Sequence, residues 1–227
     1  MKHNVYVISA DRYQNLPFNE KQKANYVFCV KKGQLKLYQQ VGCKNVYETG
    51  SLMQSRNFAL EHAFAENKIC VQLSDDLKHI KRNKNFGNPD KLEIDFVVQD
   101  IVNLFAKTQG VKLLGVPPTD NHFFAKKQVL ENGFCVGDAL FVKPSKPRFD
   151  EKLTLKEDYD FTLQHIDAYG ICLRYQRYLW TFKHYTNQGG AVGYRTESEE
   201  LRNINYLRAK WGIKIKLNPK RKNEILI

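Results

Sequence analysis

The sequence has 227 residues, of which 42% are hydrophobic and 12% aromatic, as is ordinary for a globular protein with one sizeable core. No apolar stretch reaches the roughly 20 residues of a membrane-spanning helix, and the polar start MKHNVYVISADR lacks the apolar region of a signal peptide, so we expect a cytoplasmic protein without membrane contact. The net charge of +12 favours a polyanionic partner such as nucleic acid, whereas five cysteines without CxxC spacing do not fit a zinc site or a disulfide framework.

Strands and helices alternate through the first eighty residues. Apolar runs predict strands at residues 5–9, 26–30, 45–47 and 69–73. Helices are predicted at residues 35–40 and, after the N-cap Ser51, at residues 52–66. This alternation predicts an α/β fold with a mostly parallel mixed sheet that is flanked by helices.

The rest of the chain continues the mixture of helices and strands. A long amphipathic helix is predicted at residues 91–109, with Asp90 as its N-cap and Gly110 at its end. Further strands are predicted at residues 111–115, 133–142 and 171–185, helices at residues 157–169 and 197–210, a glycine-rich turn at residues 188–193 and a basic tail after the last helix. No linker is long enough to divide the chain, so we expect a single domain.

The apolar run ICVQL leads directly to two aspartates, Asp75 and Asp76. Such a run is typical of a strand that is covered on both faces, and α/β sheets bind ligands beyond the carboxyl ends of their parallel strands. Carboxylate oxygens suit Mg²⁺ or Mn²⁺, which usually complete their coordination with substrate phosphate and water. The pattern therefore fits a metal-bound phosphate, and equally a solvated turn.

The sequence has four basic clusters, at residues 78–84, 143–148, 174–183 and 208–222, and the last two contain interleaved Tyr, Trp or Phe. Each cluster is compatible with a solvated face or with contact to nucleic-acid phosphates. The candidates for phosphate contact are Arg174, Arg177, Lys183, Arg208, Lys220, Arg221 and Lys222. The candidates for base stacking are Tyr175, Tyr178, Trp180 and Trp211, although Tyr and Trp in such runs are more often core residues.

Several short polar segments together form a recognisable pattern. They are SADR at residues 9–12, the helical SRNFAL, QLSDDL in place of a DxD strand end, KEDYDFTLQHI like an xED helix, and HYTNQGG like a late histidine. With these segments the chain resembles the GT-A class of nucleotide-sugar glycosyltransferases. More narrowly, it is similar to the TET-associated glycosyltransferases of phages and related genomes, whose acceptor is a hydroxymethylated base in DNA.

The resemblance implies a Rossmann-type GT-A-like domain, with residues 1–85 as the nucleotide-binding half and residues 86–227 as the acceptor-side half. It implies a UDP-linked nucleoside diphosphate sugar as co-substrate, and Mn²⁺ or Mg²⁺ held by Asp76 and His184. A solvated strand histidine is the other interpretation of His184. The implied acceptor is 5-hydroxymethylcytosine or 5-hydroxymethyluracil in DNA. A protein or surface-glycan acceptor, and a non-catalytic DNA-binding module on the same scaffold, stay open as alternatives.

The resemblance also implies roles for individual residues. Asp158 would be the general base for the acceptor hydroxyl and Glu157 would bind donor or acceptor, although the helix dipole alone favours acidic residues in a first turn. Asp75 would lie on the metal's water or the donor ribose, while Arg12 and Arg56 would pair with phosphate, stack on the nucleobase or form ordinary salt bridges. The remaining donor-site candidates are Ser9, Asp11 and Asn57. Inverting and retaining chemistry both stay open.

Overall fold

The computed structural model of the protein describes residues 1–183 and 195–227. The strands are β1 (His3–Ser9), β2 (Val27–Val30), β3 (Asn45–Glu48), β4 (Ile69–Ser74), β5 (Leu77–Arg82), β6 (Lys91–Leu92), β7 (Leu113–Gly115), β8 (Val129–Glu131), β9 (Ala139–Val142), β10 (Leu173–Tyr175), β11 (Tyr178–Phe182), β12 (Lys216–Leu217) and β13 (Ile225–Leu226). The α-helices are α1 (Glu20–Asn25), α2 (Leu35–Gln40), α3 (Leu52–Ala65), α4 (Ile94–Lys107), α5 (Glu157–Tyr169) and α6 (Glu197–Trp211). The predicted glycine-rich turn at residues 188–193 lies outside the described residues.

Eight of these strands form the central sheet, in the order β3-β2-β1-β4-β9-β7-β10-β8. The pairs β3-β2, β2-β1, β1-β4 and β7-β10 are parallel, whereas β9 and β8 run against their neighbours. β1 and β4 lie side by side with Ile8 opposite Ser74, so Ser9 and Asp75 leave the sheet at the same edge. The predicted class, an α/β domain with a mostly parallel mixed sheet flanked by helices, is confirmed.

The helices cover both faces of this sheet. On one face, Val98, Ile101 and Phe105 of α4 are buried at helical spacing against the strands. On the other face, Leu60 of α3 and Phe161 of α5 pack against strand residues. Burial on both faces explains why the central strands are continuous apolar runs rather than alternating ones.

Several predicted elements are shorter or divided in the structure. Within the described residues, the strand predicted at residues 171–185 is divided into β10 and β11. α4 begins at Ile94 with Glu93 as its N-cap, and not after Asp90, because Leu92 pairs with Ile80 of β5 as part of β6. Of the strand predicted at residues 133–142, only β9 (Ala139–Val142) is a strand, because residues 133–138 form a loop against α5. In that loop the Cys135 N–H donates to Thr162 Oγ1 at 3.2 Å.

Other segments are more ordered than the sequence indicated. β5, which overlaps the basic cluster at residues 78–84, was not predicted as a strand. The short helix α1 was not predicted, although Asn19 and Gln22 form a capping box at its start. The predicted basic tail instead forms the antiparallel hairpin β12–β13. Ile215 and Ile225 of this hairpin region are buried together with Leu207 of α6, so apolar contact holds the segment against the domain.

The five cysteines belong to the interior of the protein. Cys29, Cys43, Cys70, Cys135 and Cys172 are all free and buried, as small apolar side chains of the interior. Among the helices of residues 1–183 and 195–227, none combines the length and the apolar character that crossing a bilayer requires.

Candidate nucleotide and acceptor cleft

A cleft of 1790 Å³ opens at the carboxyl ends of β1 and β4 and extends to the start of α5 and the C-terminal hairpin. The predicted site residues among its lining are Ser9, Asp11, Arg12, Arg56, Asp75, Asp76, Glu157, Asp158, Arg174, Arg221 and Lys222. The catalytic and donor-site candidates therefore share one cleft, with the exception of Asn57.

Arg12, Asp75 and Asp76 form an ion cluster at the sheet edge. Arg12 Nη1 lies 2.6 Å from Asp75 Oδ1 and 2.7 Å from Asp76 Oδ1, so two carboxylates converge on one cation. The Ser9 hydroxyl donates a hydrogen bond to Asp75 Oδ2 and lies 2.5 Å from the Tyr38 hydroxyl. Because β1 and β4 are adjacent and parallel, their ends bring these groups together across more than sixty positions of sequence.

The two aspartates of this cluster lie in different environments. Burial raises the pKa of Asp75 to about 6, against the opposing effects of the Arg12 charge and the Ser9 hydrogen bond. Asp76 is more accessible, and its backbone carbonyl accepts from the Lys183 N–H at 2.8 Å, which joins the residue before β5 to the residue after β11. Asp76 is thus the carboxylate of the pair that is better placed to meet a ligand.

Asp11 forms the turn after β1 that places Arg12 next to Asp75 and Asp76. Its φ of 62° lies in the left-handed region, which lets the chain reverse directly after β1. Its N–H donates to Gln34 Oε1 at 3.0 Å, and the Gln34 amide donates back to Asp11 Oδ1. Lys31 Nζ lies 3.5 Å from the other carboxylate oxygen. Asp11 therefore shapes the cleft floor as well as lining it.

Arg56 forms a buried ion pair beneath the cleft. Arg56 is only 7% exposed. Its Nη2 lies 3.2 Å from Glu157 Oε1, and its Nη1 donates to Gln72 Oε1 at 3.2 Å. The guanidinium also lies over the Phe149 ring, at 5.2 Å from the centroid. These contacts make Arg56 a residue that positions Glu157 and the start of α5.

Asp158 is held at the cleft by backbone donors. Its Oδ2 accepts from the Gly137 N–H at 3.0 Å and its Oδ1 from the Tyr159 N–H at 3.0 Å. Burial and then the neighbouring Glu157 charge raise the pKa of Asp158 to about 7, although the Gly137 N–H and Arg56 oppose the shift. A carboxylate with such a pKa suits proton transfer near neutral pH.

Glycine is required at position 137 by the close approach of these groups. A Cβ on Gly137 would lie 2.7 Å from Arg56 Nη2 and 3.4 Å from Asp158 Cβ. A side chain here would have to displace the Arg56 guanidinium, whereas the distance to Asp158 Cβ is an ordinary van der Waals contact. The loop before β9 is therefore part of the site. It was missed because residues 133–142 were predicted as one continuous strand.

Lys156 connects the C-terminal hairpin to the start of α5. Its backbone is left-handed, with φ of 60°, immediately before Glu157. Its Nζ donates to the Asn223 carbonyl at 2.8 Å and lies 2.7 Å from Glu200 Oε2. The hairpin thus forms one rim of the cleft.

Asn57 and some of the basic candidates lie outside the cleft lining, whereas Arg174, Arg221 and Lys222 are part of it. The Asn57 side chain donates to the Phe149 carbonyl at 2.9 Å and accepts from the Phe149 N–H at 2.8 Å, which braces the loop before α5. Arg177 lies 4.0 Å from Asp100, and Arg174 donates to the Phe134 carbonyl at 3.3 Å. The remaining basic candidates, all exposed, are Lys183, Arg208, Lys220, Arg221 and Lys222.

The aromatic candidates for base stacking require a correction. Tyr175, Tyr178 and Trp180 are core residues, at most 2% exposed, because the strands β10 and β11 place them against α4 and each other. Trp211 is half-buried, and its indole N–H donates to Asp160 Oδ1 at 2.7 Å. These rings therefore stabilise the fold, and three of them are closed to a base.

The donor chemistry of the cluster fits a hard divalent ion. Asp75 and Asp76 offer carboxylate oxygens, and Mg²⁺ or Mn²⁺ bound by one or two carboxylates takes its other ligands from phosphate and water. Within the described part of the chain, no group of three or more His, Cys, Asp or Glu side chains is arranged to hold a metal. His184, the second predicted ligand, lies outside the described residues.

Some residues of the site carried no signal in the sequence. Gln34, Tyr38 and Gln72 hold Asp11, Ser9 and Arg56 by side-chain hydrogen bonds. Gln72 was the one polar residue inside the apolar run ICVQL, and a fully buried amide needs a partner. That feature could have indicated a buried polar contact, but not its partner.

Comparisons with known proteins give no family for this chain. No protein-family model matches, and no curated protein matches. Among solved structures, A197 from STIV has 14% sequence identity and a TM-score of 0.48, covering 86% of this chain and 92% of its own. A cytidylyltransferase from Leptospira borgpetersenii serovar Hardjo-bovis has 13% identity and a TM-score of 0.41, covering 98% and 91%. Neither likeness assigns an activity to the chain.

Proposed function

We propose that this chain is a glycosyltransferase that takes a sugar from a nucleoside diphosphate donor, UDP-linked, and transfers it to a hydroxymethylated pyrimidine in DNA. The observation that carries the proposal is one cleft in which the Arg12–Asp75–Asp76 cluster and the Asp158 carboxylate both lie. The cluster would bind the phosphates of the leaving group, and Asp158 would accept the proton of the acceptor hydroxyl.

The donor half of the reaction needs positive charge at the phosphates. The leaving nucleoside diphosphate gains negative charge as the glycosidic bond breaks, and Arg12 can pair with a phosphate oxygen through its guanidinium. Asp76 would hold Mn²⁺ or Mg²⁺, with Asp75 beside it on the metal's water or the donor ribose, and the ion would supply further charge stabilisation of the leaving group when bound. Ser9 and Tyr38 keep the Asp75 carboxylate in place.

The acceptor half needs a base. Asp158 would accept the proton of the attacking hydroxyl, and its two backbone hydrogen bonds fix the direction of the carboxylate. Glu157 is tied to Arg56 at 3.2 Å, so its part is to orient the start of α5. The Asp158→Asn variant tests whether Asp158 is the base.

DNA as the acceptor is supported by charge at the cleft rim. The C-terminal hairpin carries exposed Lys220, Arg221 and Lys222, of which the last two line the cleft. A basic rim beside a reaction site suits a phosphate backbone. The decisive experiment is to incubate the protein with Mn²⁺, a panel of nucleotide sugars and hydroxymethylated DNA, and to analyse nucleosides by mass. Transfer to a peptide or free sugar, with none to DNA, would contradict the DNA acceptor.

Asp76→Asn should abolish transfer and donor hydrolysis without loss of folding. The amide keeps the shape of the side chain but loses the charge that holds a divalent cation. Mn²⁺ affinity, measured by calorimetry, should fall together with activity, and EDTA should inactivate the wild type. Asp90→Asn, on an exposed residue away from the cleft, is the matched control. Full activity in EDTA or in Asp76→Asn would overturn the metal assignment.

Replacing Lys220, Arg221 and Lys222 together with glutamine should flatten the salt dependence of DNA binding. The log–log slope changes by about 0.9 for each phosphate that the protein no longer neutralises, or up to about 2.7 for three. The exposed pairs Lys222–Glu197 and Arg221–Glu224 contribute little to stability, so the variant should fold. Binding is measured by fluorescence anisotropy at increasing salt.

The control for this triple variant neutralises three exposed lysines outside the cleft lining, Lys21, Lys44 and Lys107. It changes the net charge by the same amount, so it separates direct phosphate binding from the general field of the protein. An equal change of slope in both variants would show that the hairpin makes no phosphate contacts of its own.

A further inference from the structure

Two consecutive residues on the loop between β7 and β8, Phe123 and Phe124, have exposed phenyl rings. Phe123 is 65% exposed and Phe124 is 73% exposed, and Phe124 lines the cleft. Single exposed apolar residues are normal, but adjacent large ones beside a cleft mark an interaction site. These rings are more exposed than any other aromatic side chain in the described residues.

The loop that carries the rings is firmly anchored. Asn83 Nδ2 donates to the Ala125 carbonyl at 2.8 Å, and Asn85 Nδ2 donates to the His122 carbonyl at 2.8 Å. The Phe123 N–H donates to Asn121 Oδ1 at 3.0 Å, and Ala125 is fully buried. Because backbone contacts on both sides of the rings fix the loop, the rings cannot easily turn into the core. The fold therefore keeps the two rings exposed.

The charges around the rings favour an anionic partner. Exposed Lys126 and Lys127 follow the rings after the buried Ala125, and exposed Lys84 is next to the anchoring Asn85. Aromatic faces combined with lysines are the usual surface for single-stranded or unstacked nucleic acid, since bases stack on the rings while phosphates meet the cations. An apolar protein partner would not require these lysines.

We propose that Phe123 and Phe124 form a stacking platform for a nucleobase of the DNA acceptor, with Lys126 and Lys127 beside its phosphates. This inference rests on the proposed function and adds the surface that receives the acceptor. Moving a pyrimidine out of duplex DNA to reach Asp158 leaves bases unstacked at a cost of a few kcal/mol. Stacking on a fixed phenyl ring at the cleft mouth offsets part of that cost.

The test is fluorescence anisotropy at fixed salt, with a labelled duplex that carries one hydroxymethylpyrimidine and with the matching single strand. Phe124→Ala should weaken binding about tenfold, and Phe123→Ala with Phe124→Ala should weaken it further. Phe124→Trp should retain the affinity because it keeps a stacking face, whereas Phe124→Leu should not. Phe96→Ala removes a ring that is 54% exposed on α4 outside the cleft lining, and it should bind as the wild type does.

The outcomes separate this inference from the proposed function. Wild-type protein that binds and glycosylates the DNA while the double variant binds it equally well would overturn the platform alone. Full affinity in Phe124→Leu would also overturn it, because apolar contact without stacking would then be sufficient. A wild type that binds nucleotide sugar but no DNA would overturn the platform and the DNA acceptor, and leave the donor site standing. Loss of transfer to a protein acceptor in Phe124→Ala, with no change in DNA binding, would assign the rings to a polypeptide instead.

Discussion

Asp158→Asn is expected to lower kcat by about 10²–10⁴ while leaving donor affinity nearly intact. The asparagine keeps the size of the side chain and can still accept from the Gly137 N–H, but it cannot take the proton of the acceptor hydroxyl. Steady-state kinetics give kcat, and calorimetry with the nucleotide sugar gives the donor affinity. The matched control is Asp167→Asn, which changes an exposed aspartate of the same helix that pairs with Lys214.

The pH dependence of kcat/KM should also reflect the role of Asp158 as general base. A base acts when it is deprotonated, and the pKa of Asp158 is raised to about 7 by burial and by Glu157. We therefore expect kcat/KM of the wild type to rise with pH through about 7, and this rise to be absent from Asp158→Asn. If calorimetry showed that Asp158→Asn abolishes nucleotide binding, the residue would be a donor ligand and not the base.

The raised pKa of Asp158 also has a consequence for stability. The folded pKa of about 7 lies above the ordinary value of 3.8, so the fold favours the protonated carboxyl. The contribution of Asp158 to stability therefore falls as pH rises from about 4 to about 7, where the group becomes charged. Asp158→Asn should melt at a higher temperature than the wild type at pH 8, and the difference should shrink toward pH 4.

Arg56→Ala is expected to destabilise the protein by about 3–5 kcal/mol, because it leaves the Glu157 carboxylate buried without its partner. It also removes the hydrogen bond to Gln72 and the contact with the Phe149 ring. Urea denaturation measures the decrease in the free energy of unfolding. Since Arg56 positions the start of α5, kcat should fall in the fraction that remains folded.

Two controls define this effect. Arg208→Ala, on an exposed residue of α6, should change stability little. Arg56→Met combined with Glu157→Gln removes both charges, so it should be more stable than Arg56→Ala. A destabilisation by Arg56→Ala of less than about 1 kcal/mol, together with a large drop in donor affinity, would show that Arg56 binds the donor directly.

Local patterns in the sequence were sufficient for most of the fold. The apolar runs located β1, β2 and β4, and the N-cap Ser51 located α3, because burial on two faces and capping depend on residues close in sequence. The ending of a parallel strand on Asp75 and Asp76 also placed those carboxylates at the ligand edge of the sheet. The start of α5 at Glu157 and its end at Gly170 followed from local signals as well.

Contacts between residues far apart in the sequence could not be predicted from these local patterns. That Leu92 leaves the helix to pair with Ile80, and that Tyr178 is a core residue in a basic run, depends on which strands become neighbours. Sequence periodicity reports which face of an element is apolar, but not which element covers it. For the same reason the basic clusters did not reveal which of their residues would reach the cleft.

The sequence by itself determined the α/β class, the mostly parallel central sheet with helices on both faces, and the identity of the acidic and basic residues at the strand and helix ends. Only the tertiary structure decided that Arg12 meets both Asp75 and Asp76, and that Gly137 donates to Asp158. These contacts join residues tens of positions apart. They form because the sheet order sets β4 between β1 and β9, which brings three loop ends to one edge.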